Sequence, residues 1–269
     1  MGKPVTSAIN NGTRYQISGP AHADTLIFIH GLGLNRQIWA DYITAFEQDY
    51  RVISYDLFGH GESAAPPRKP DLSVYAKQVV SLIDELDIDR AALIGFSLGG
   101  MINRRVAMDY PDHVSALVIL NSPHERTPEA QRLVEERASD TTAGGITATL
   151  DATIQRWFTE SFRQQNPGYI QQVRDWVLAN NPADYADCRR VLATGVIELI
   201  NPQPPIMHPT LVMTCENDSG STPVMSHGIA GEIENADTII VPCLQHMGLV
   251  EKPEVFIDPV TRFLKFALS

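Results

Sequence analysis

The chain has 269 residues, enough to bury a full core as one large domain or as a domain carrying an insertion. A hydrophobic fraction of 43% and a charged fraction of 20% are ordinary for a globular protein. The net charge of −11, with no block of Lys and Arg, argues against nucleic acid and anionic membrane as main partners. No apolar run approaches the ~20 residues that span a bilayer, and Met1-Gly2-Lys3-Pro4-Val5-Thr6 lacks the apolar core of a signal peptide. The expectation is a cytoplasmic protein that meets a small molecule, with homo-oligomerisation left open. Cys188, Cys215 and Cys243 have no metal-type spacing and read as reduced thiols. Cys215 and Cys243, in or beside apolar strand patterns, are expected to be small core side chains.

Along the chain, Asn10-Asn11-Gly12 is a hairpin turn between two short strands. Residues 25–29 form a continuous apolar run ending at His30-Gly31, the pattern of a strand buried on both faces. A helix over 39–46 and a strand over 51–55 follow. Leu72, Tyr75, Val79, Leu82, Ile83 and Leu86 then share one helical face, with Asp71 or Ser73 available near the N-cap. A strand at 91–94, a helix from Gly100 and a strand at 116–120 complete an alternation that implies a mostly parallel sheet covered on both sides. From 123 to 205 strand signals give way to helical stretches at 129–137, 146–162 and 169–179, broken by Gly144-Gly145, Asn166-Pro167 and Asn181-Pro182. Strand character resumes at 210–214 and 238–241, and a helix over 255–268 ends the chain. The division expected is an α/β core at 1–122, a helical insertion at 123–205 and the rest of the core at 206–269.

The chemistry centres on Gly95-Phe96-Ser97-Leu98-Gly99, set between a strand and a helix. Chance alone supplies G-x-S-x-G in on the order of one in ten chains of this length; the flanking elements turn it into the layout of a nucleophile elbow. A serine hydroxyl needs a base within reach, and a histidine base needs a carboxylate to hold its tautomer. In this architecture the order is serine, acid, histidine. His246, in the loop after the last strand, is favoured as base over His227, and Asp218, followed by Ser219-Gly220, is favoured as acid over Glu216. The other position open to an acid, after the preceding core strand, holds Asn121-Ser122 and no carboxylate. Oxyanion donors are expected from the backbone N–H of Leu98 and, in His30-Gly31-Leu32-Gly33, of Leu32, with His30 steadying that loop.

These motifs, together with Asp56-Leu57-Phe58-Gly59-His60-Gly61-Glu62-Ser63 and Gln245-His246, resemble those of serine hydrolases with the α/β-hydrolase fold over nearly the whole core. The resemblance implies a mainly structural role for Asp56, His60 and Ser63. It also implies a cofactor-free hydrolase that cleaves an ester or lactone of a small organic acid through an acyl-enzyme. Carbon–carbon hydrolysis of a diketone, peroxide as acyl acceptor, and a ligand receptor without turnover are the rival readings, and the triad residues do not separate the enzymatic ones. Arg156-Trp157-Phe158-Thr159-Glu160-Ser161-Phe162, with Asn166-Pro167, Tyr185 and Cys188, is similar to the lid of 3-oxoadipate enol-lactonase-like hydrolases. That similarity places Arg156 and Trp157 in the pocket, the arginine facing a substrate carboxylate; the alternative is a lid-core tryptophan beside a surface arginine. The chain departs from that pattern at the His-Gly loop and at Ala193-Thr194-Gly195-Val196-Ile197-Glu198, so the likeness carries the chemistry rather than the particular substrate.

Overall fold

The apolar runs become the centre of one eight-stranded sheet in the computed structural model, which describes residues 5–269 apart from the side chains of residues 5, 6 and 140–144. Residues 1–4, the start of the segment read for a leader, lie outside it. The strands are β1 (Val5–Ala8), β2 (Arg14–Ser18), β3 (Thr25–Ile29), β4 (Arg51–Tyr55), β5 (Ala91–Phe96), β6 (Val114–Leu120), β7 (Thr210–Cys215) and β8 (Ala236–Val241). Their spatial order is β1-β2-β4-β3-β5-β6-β7-β8. β1 and β2 pair antiparallel across the Asn10-Asn11 turn, β2 pairs antiparallel with β4, and every other pairing is parallel. Every residue of β3, β5 and β7 is buried, which is why these strands read as unbroken apolar runs.

Helices α1 (Ala40–Phe46), α2 (Leu72–Glu85) and α3 (Leu98–Asp109) make the first crossovers. Of the two residues near the start of α2, Asp71 is the cap: its carboxylate accepts the Val74 N–H at 3.0 Å, and Ser73 Oγ donates back to it at 2.6 Å. Beneath it, Leu72, Tyr75, Val79, Leu82 and Ile83 are fully buried, as their spacing requires. The chain leaves β3 toward β4 on one side and returns to β5 on the other. The carboxyl ends of β3 and β5 therefore flank a topological switch point, where such sheets open a crevice.

Between β6 and β7 lie α4 (Pro128–Gly144), α5 (Thr147–Trp157), α6 (Glu160–Gln165), α7 (Pro167–Leu178), α8 (Pro182–Thr194) and a 3₁₀ turn at Gly195–Leu199, with no strand among them. The continuous helical pattern over 146–162 is broken in the fold. Phe158 is extended, at φ −118° and ψ 141°, and Thr159 starts α6 by accepting the Phe162 N–H. A tertiary partner holds this break: the Glu251 carboxylate accepts from the Thr159 N–H at 2.8 Å and from its Oγ at 2.6 Å. Asn181-Pro182, read as a breaker, starts α8 instead. The Asn181 side chain accepts the N–H groups of Ala183 and Asp184, and Pro182 occupies the first turn, where a missing N–H costs nothing.

Helix α9 (Pro223–Gly231) joins β7 to β8, and α10 (Gly248–Glu251) and α11 (Glu254–Ala267) close the chain. Cys188 and Cys215 are buried thiols, whereas Cys243 is exposed, a correction to the expected core position. It sits beyond the end of β8 at φ +61°, in a turn held by its N–H to Glu216 at 2.9 Å. Among the described residues no helix is long and apolar enough to cross a membrane.

Candidate active site

β5 passes into α3 through one residue, Ser97, held at φ +55° and ψ −113°. That conformation is strained for a residue with a Cβ. It is pinned by the Ser97 N–H donating to the Leu120 carbonyl at 2.8 Å and by the Gly100 N–H donating to the Ser97 carbonyl at 3.0 Å. The glycines permit the close approach: a Cβ on Gly95 would stand 2.2 Å from the Gly99 carbonyl oxygen, and one on Gly99 2.1 Å from that of Ile29. Ser97 is thereby set at the carboxyl edge of the sheet, lining a cavity of about 710 Å³ between the sheet and the helices that follow β6.

His246 lines the same cavity from the loop after β8. Its Nδ1 lies 2.6 Å from Asp218 Oδ2, so Nδ1–H donates to the carboxylate and Nε2 is left for the cavity. No hydrogen bond joins Ser97 to His246 among the described contacts; they share a wall. The ring of His246 packs against Phe96 at 4.8 Å and Trp157 at 6.1 Å between centroids. Asp218 is buried at the end of β7 and fully engaged. Oδ1 accepts the N–H groups of Gly220 and Ser221 at 2.9 and 3.0 Å, and Oδ2 accepts Asn121 Nδ2 at 2.9 Å besides His246. Burial alone pushes this carboxyl up. The charge on His246 and the hydrogen bonds from His246, Asn121 and Gly220 outweigh it, and the pKa falls below the ordinary aspartate value.

Asn121 is a site residue that the sequence reading passed over. It ends β6 at φ +46°, on the strand where a carboxylate was sought and not found, and its amide serves the carboxylate supplied by β7. The rejected alternatives stand apart: His227 is exposed on α9, and Glu216 is exposed and holds the Cys243 N–H.

The loop after β3 closes over Ser97. A Cβ on Gly31 would meet that of Ser97 at 3.2 Å, and Leu32 lines the cavity. Gly33, at φ +78°, leaves room for the Tyr185 ring of α8, and its carbonyl accepts Asn180 Nδ2 at 3.2 Å, so the helical segment buttresses the loop. Leu98 heads α3, where an N–H has no intrahelical acceptor. Among the described residues the Leu32 N–H has none either. His30 is buried below: its Nε2 accepts the Leu57 N–H at 3.0 Å, its Nδ1 faces the Gly31 carbonyl at 2.8 Å, and burial lowers its pKa to about 4. Asp56 is committed to the N–H groups of Arg36 and Glu62, and Ser63 to the Asp56 carbonyl, so this stretch is scaffold.

Arg156 and Trp157 both line the cavity at the end of α5. Trp157 is buried, and its carbonyl accepts the Met247 N–H at 2.8 Å, tying the helix end to the residue after His246. Arg156 lies open to the cavity's solvent yet is crowded by protein, which lowers its pKa from the usual arginine value while Asp218 opposes the shift. Three further arginines, Arg126, Arg137 and Arg189, line the same space, and nothing in the sequence pattern marked them.

A family model described as the alpha/beta hydrolase fold matches residues 24–144. The chain is 28% identical to 3-oxoadipate enol-lactonase 2 of Acinetobacter baylyi, over 98% of this chain and 97% of that one. It is also 28% identical to (E)-2-((N-methylformamido)methylene)succinate hydrolase of the same organism, over 91% of each. A crystal structure of the enol-lactonase from Burkholderia xenovorans LB400 superposes with a TM-score of 0.86 at 27% identity, covering 97% of this chain and 100% of that one. Strand order, the matched segment and this superposition together define the α/β-hydrolase fold. Within that fold the chain resembles the enol-lactonases.

Proposed function

We propose that the protein cleaves an ester or lactone of a small organic acid through an acyl-enzyme on Ser97, with His246 as the base and Asp218 orienting it. The observation that carries this is the 2.6 Å contact between His246 Nδ1 and Asp218, which leaves Nε2 to the cavity that Ser97 lines. Ser97 Oγ adds to the substrate carbonyl carbon as its proton passes to Nε2, and the carbonyl π pair moves to oxygen. That oxyanion accepts from the N–H groups of Leu98 and Leu32. Collapse expels the alcohol or enol oxygen, which takes the proton from Nε2. Water then adds to the acyl carbon, giving its proton to Nε2, and the second collapse returns that proton to Ser97 and releases the acid. Asp218, its pKa lowered, stays ionised and stabilises the imidazolium at both stages. A Ser97–His246 hydrogen bond tightening only with substrate bound is ordinary for such sites.

In this reading residues 123–205 form a lid on a core built from 1–122 and 206–269, and Arg156 meets a substrate carboxylate beside Trp157. The likeness to enol-lactonases supports the lactone class. Ser97→Ala is expected to lower kcat on a p-nitrophenyl ester by on the order of 10⁴-fold or more while keeping the circular dichroism spectrum. Turnover that survives the substitution refutes the assignment.

A further inference from the structure

Among the described residues the cavity is lined by four arginines, Arg126, Arg137, Arg156 and Arg189, and by no Asp or Glu, in a chain whose net charge is −11. They come from separate segments: the β6–α4 connection, α4, α5 and α8. Outside the cavity Arg36, Arg68, Arg105, Arg132, Arg174 and Arg190 pair with a carboxylate, whereas Arg104, for one, is buried on neutral oxygens. Among the described residues no carboxylate lies within ion-pair distance of Arg126, Arg156 or Arg189. Arg126 donates to neutral oxygens, Gln131 Oε1 at 3.0 Å and the Ala193 carbonyl at 3.4 Å, and the charge of Arg189 bears on the Tyr185 hydroxyl. Arg156 stands near enough to Arg189 and Arg137 for their charges to repel its own. Guanidinium groups gathered in one cavity without an ion-paired carboxylate, as Arg126, Arg156 and Arg189 are, make a site for anions.

The arginines stand on different walls of the cavity. Arg156 lies over the Asp218–Ser221 turn, where a Cβ on Gly220 would meet its Nη1 at 2.7 Å, beside the reacting groups. Arg126 and Arg189 belong to the α4–α8 wall, Arg126 being bonded to the end of α8 at Ala193. Apolar Leu133, Val134, Ala152 and Leu192 complete the lining, in a volume of about 710 Å³.

We infer that the substrate is a dianion: an ester or lactone bearing two free carboxylates apart from the scissile group, one held at Arg156 and the other at the Arg126–Arg189 wall. This rests on the hydrolytic reading of the same site and narrows its substrate class. One carboxylate at Arg156 would leave the charges of Arg126 and Arg189 unmatched, so two carboxylates fit the three guanidinium groups better than one.

Two measurements test it independently. On the wild-type enzyme, kcat/KM is compared for p-nitrophenyl esters whose acyl group carries no free carboxylate (butyrate), one (succinate) or two (tricarballylate). About a ten-fold gain for each added carboxylate is expected, with KM rising several-fold between 50 and 500 mM NaCl for the dianion, less for the monoanion and not for the butyrate ester, as roughly expected for partly screened charge pairs. Arg189→Gln and Arg156→Gln should each lower the dianion-to-neutral ratio about ten-fold, whereas Arg132→Gln, on the outer face of α4, should leave it unchanged. Calorimetric titration of the Ser97→Ala protein then reads binding without turnover, glutarate and tricarballylate binding about ten-fold or more tighter than butyrate. Equal binding of butyrate, glutarate and tricarballylate overturns the dianion inference whatever the kinetics show. Ester turnover surviving in Ser97→Ala overturns the serine mechanism and leaves the binding result standing.

Discussion

At the scale of single residues, the site is a set of groups each held by more than one bond. Asp218 takes four hydrogen bonds, two from the backbone of its own turn, one from Asn121 and one from His246. That overdetermination keeps the carboxylate aligned with the imidazole and its pKa low despite burial. Asp218→Asn keeps the shape but offers Nδ1 an amide, so His246 can settle in the wrong tautomer. A fall in kcat of about 10³–10⁴-fold with intact folding is expected from steady-state kinetics, and a loss below ten-fold contradicts the role. Removing the outer support with Asn121→Ala should cost less, about ten-fold. That Ser97, Asp218 and His246 would come together was legible in the sequence because the proposed chemistry asks for three residue types in a fixed order. Asn121 was not, because a neutral amide that only assists a carboxylate leaves no compositional signal.

At the scale of elements, strands and glycines do the positioning. β3, β5 and β7 were readable to within a residue or two, since burial on both faces leaves continuous apolar runs. The helical segment was harder. Asn181-Pro182 carries the chemistry of a helix start as well as that of a break, and α8 was missed on that ambiguity. The end of α5 is set by Glu251, 92 residues away from Thr159, so no local period could reveal it, although that break is what aims Trp157 at His246. The elbow gives the clearest structural test. A methyl group on Gly99 would lie 2.1 Å from the Ile29 carbonyl oxygen, backbone that cannot swing aside. Gly99→Ala should destabilise by about 3 kcal/mol, lowering Tm by roughly 6–12 °C for a chain of this size in a thermal melt. An unchanged Tm would show that α3 does not rest on β3 as described.

At the scale of the whole molecule, charge is unevenly placed. A chain with a net charge of −11 turns four arginines into one cavity, and only the fold brings their segments together. Beneath the site, His30 and His60 are buried side by side, with pKa values lowered by burial to about 4 and about 3. Both folded values lie below the unfolded value near 6.5. The stability tied to their neutral forms is therefore complete above that pH and is lost as pH falls from about 6.5 toward about 4, where the unfolded chain binds two protons that the folded chain does not. The folded-to-unfolded ratio should drop by about ten-fold per pH unit for each histidine. Urea titrations at pH 7, 6 and 5 should show this slope, and His60→Asn should halve it; stability independent of pH over that range contradicts the account. Asp218 adds its own loss only lower, as pH falls below about 3.9.

The central claim is that the reaction passes through Ser97 as a covalent acyl-enzyme. It is tested most directly by quenching the enzyme in acid during turnover of a p-nitrophenyl ester and mapping the acyl mass increment by peptide mass spectrometry. The account predicts one acyl group, on the peptide containing Ser97, its occupancy rising in His246→Ala if deacylation slows more than acylation, and absent from Ser97→Ala. An acyl group found on another side chain, with Ser97 unmodified during active turnover, would contradict it.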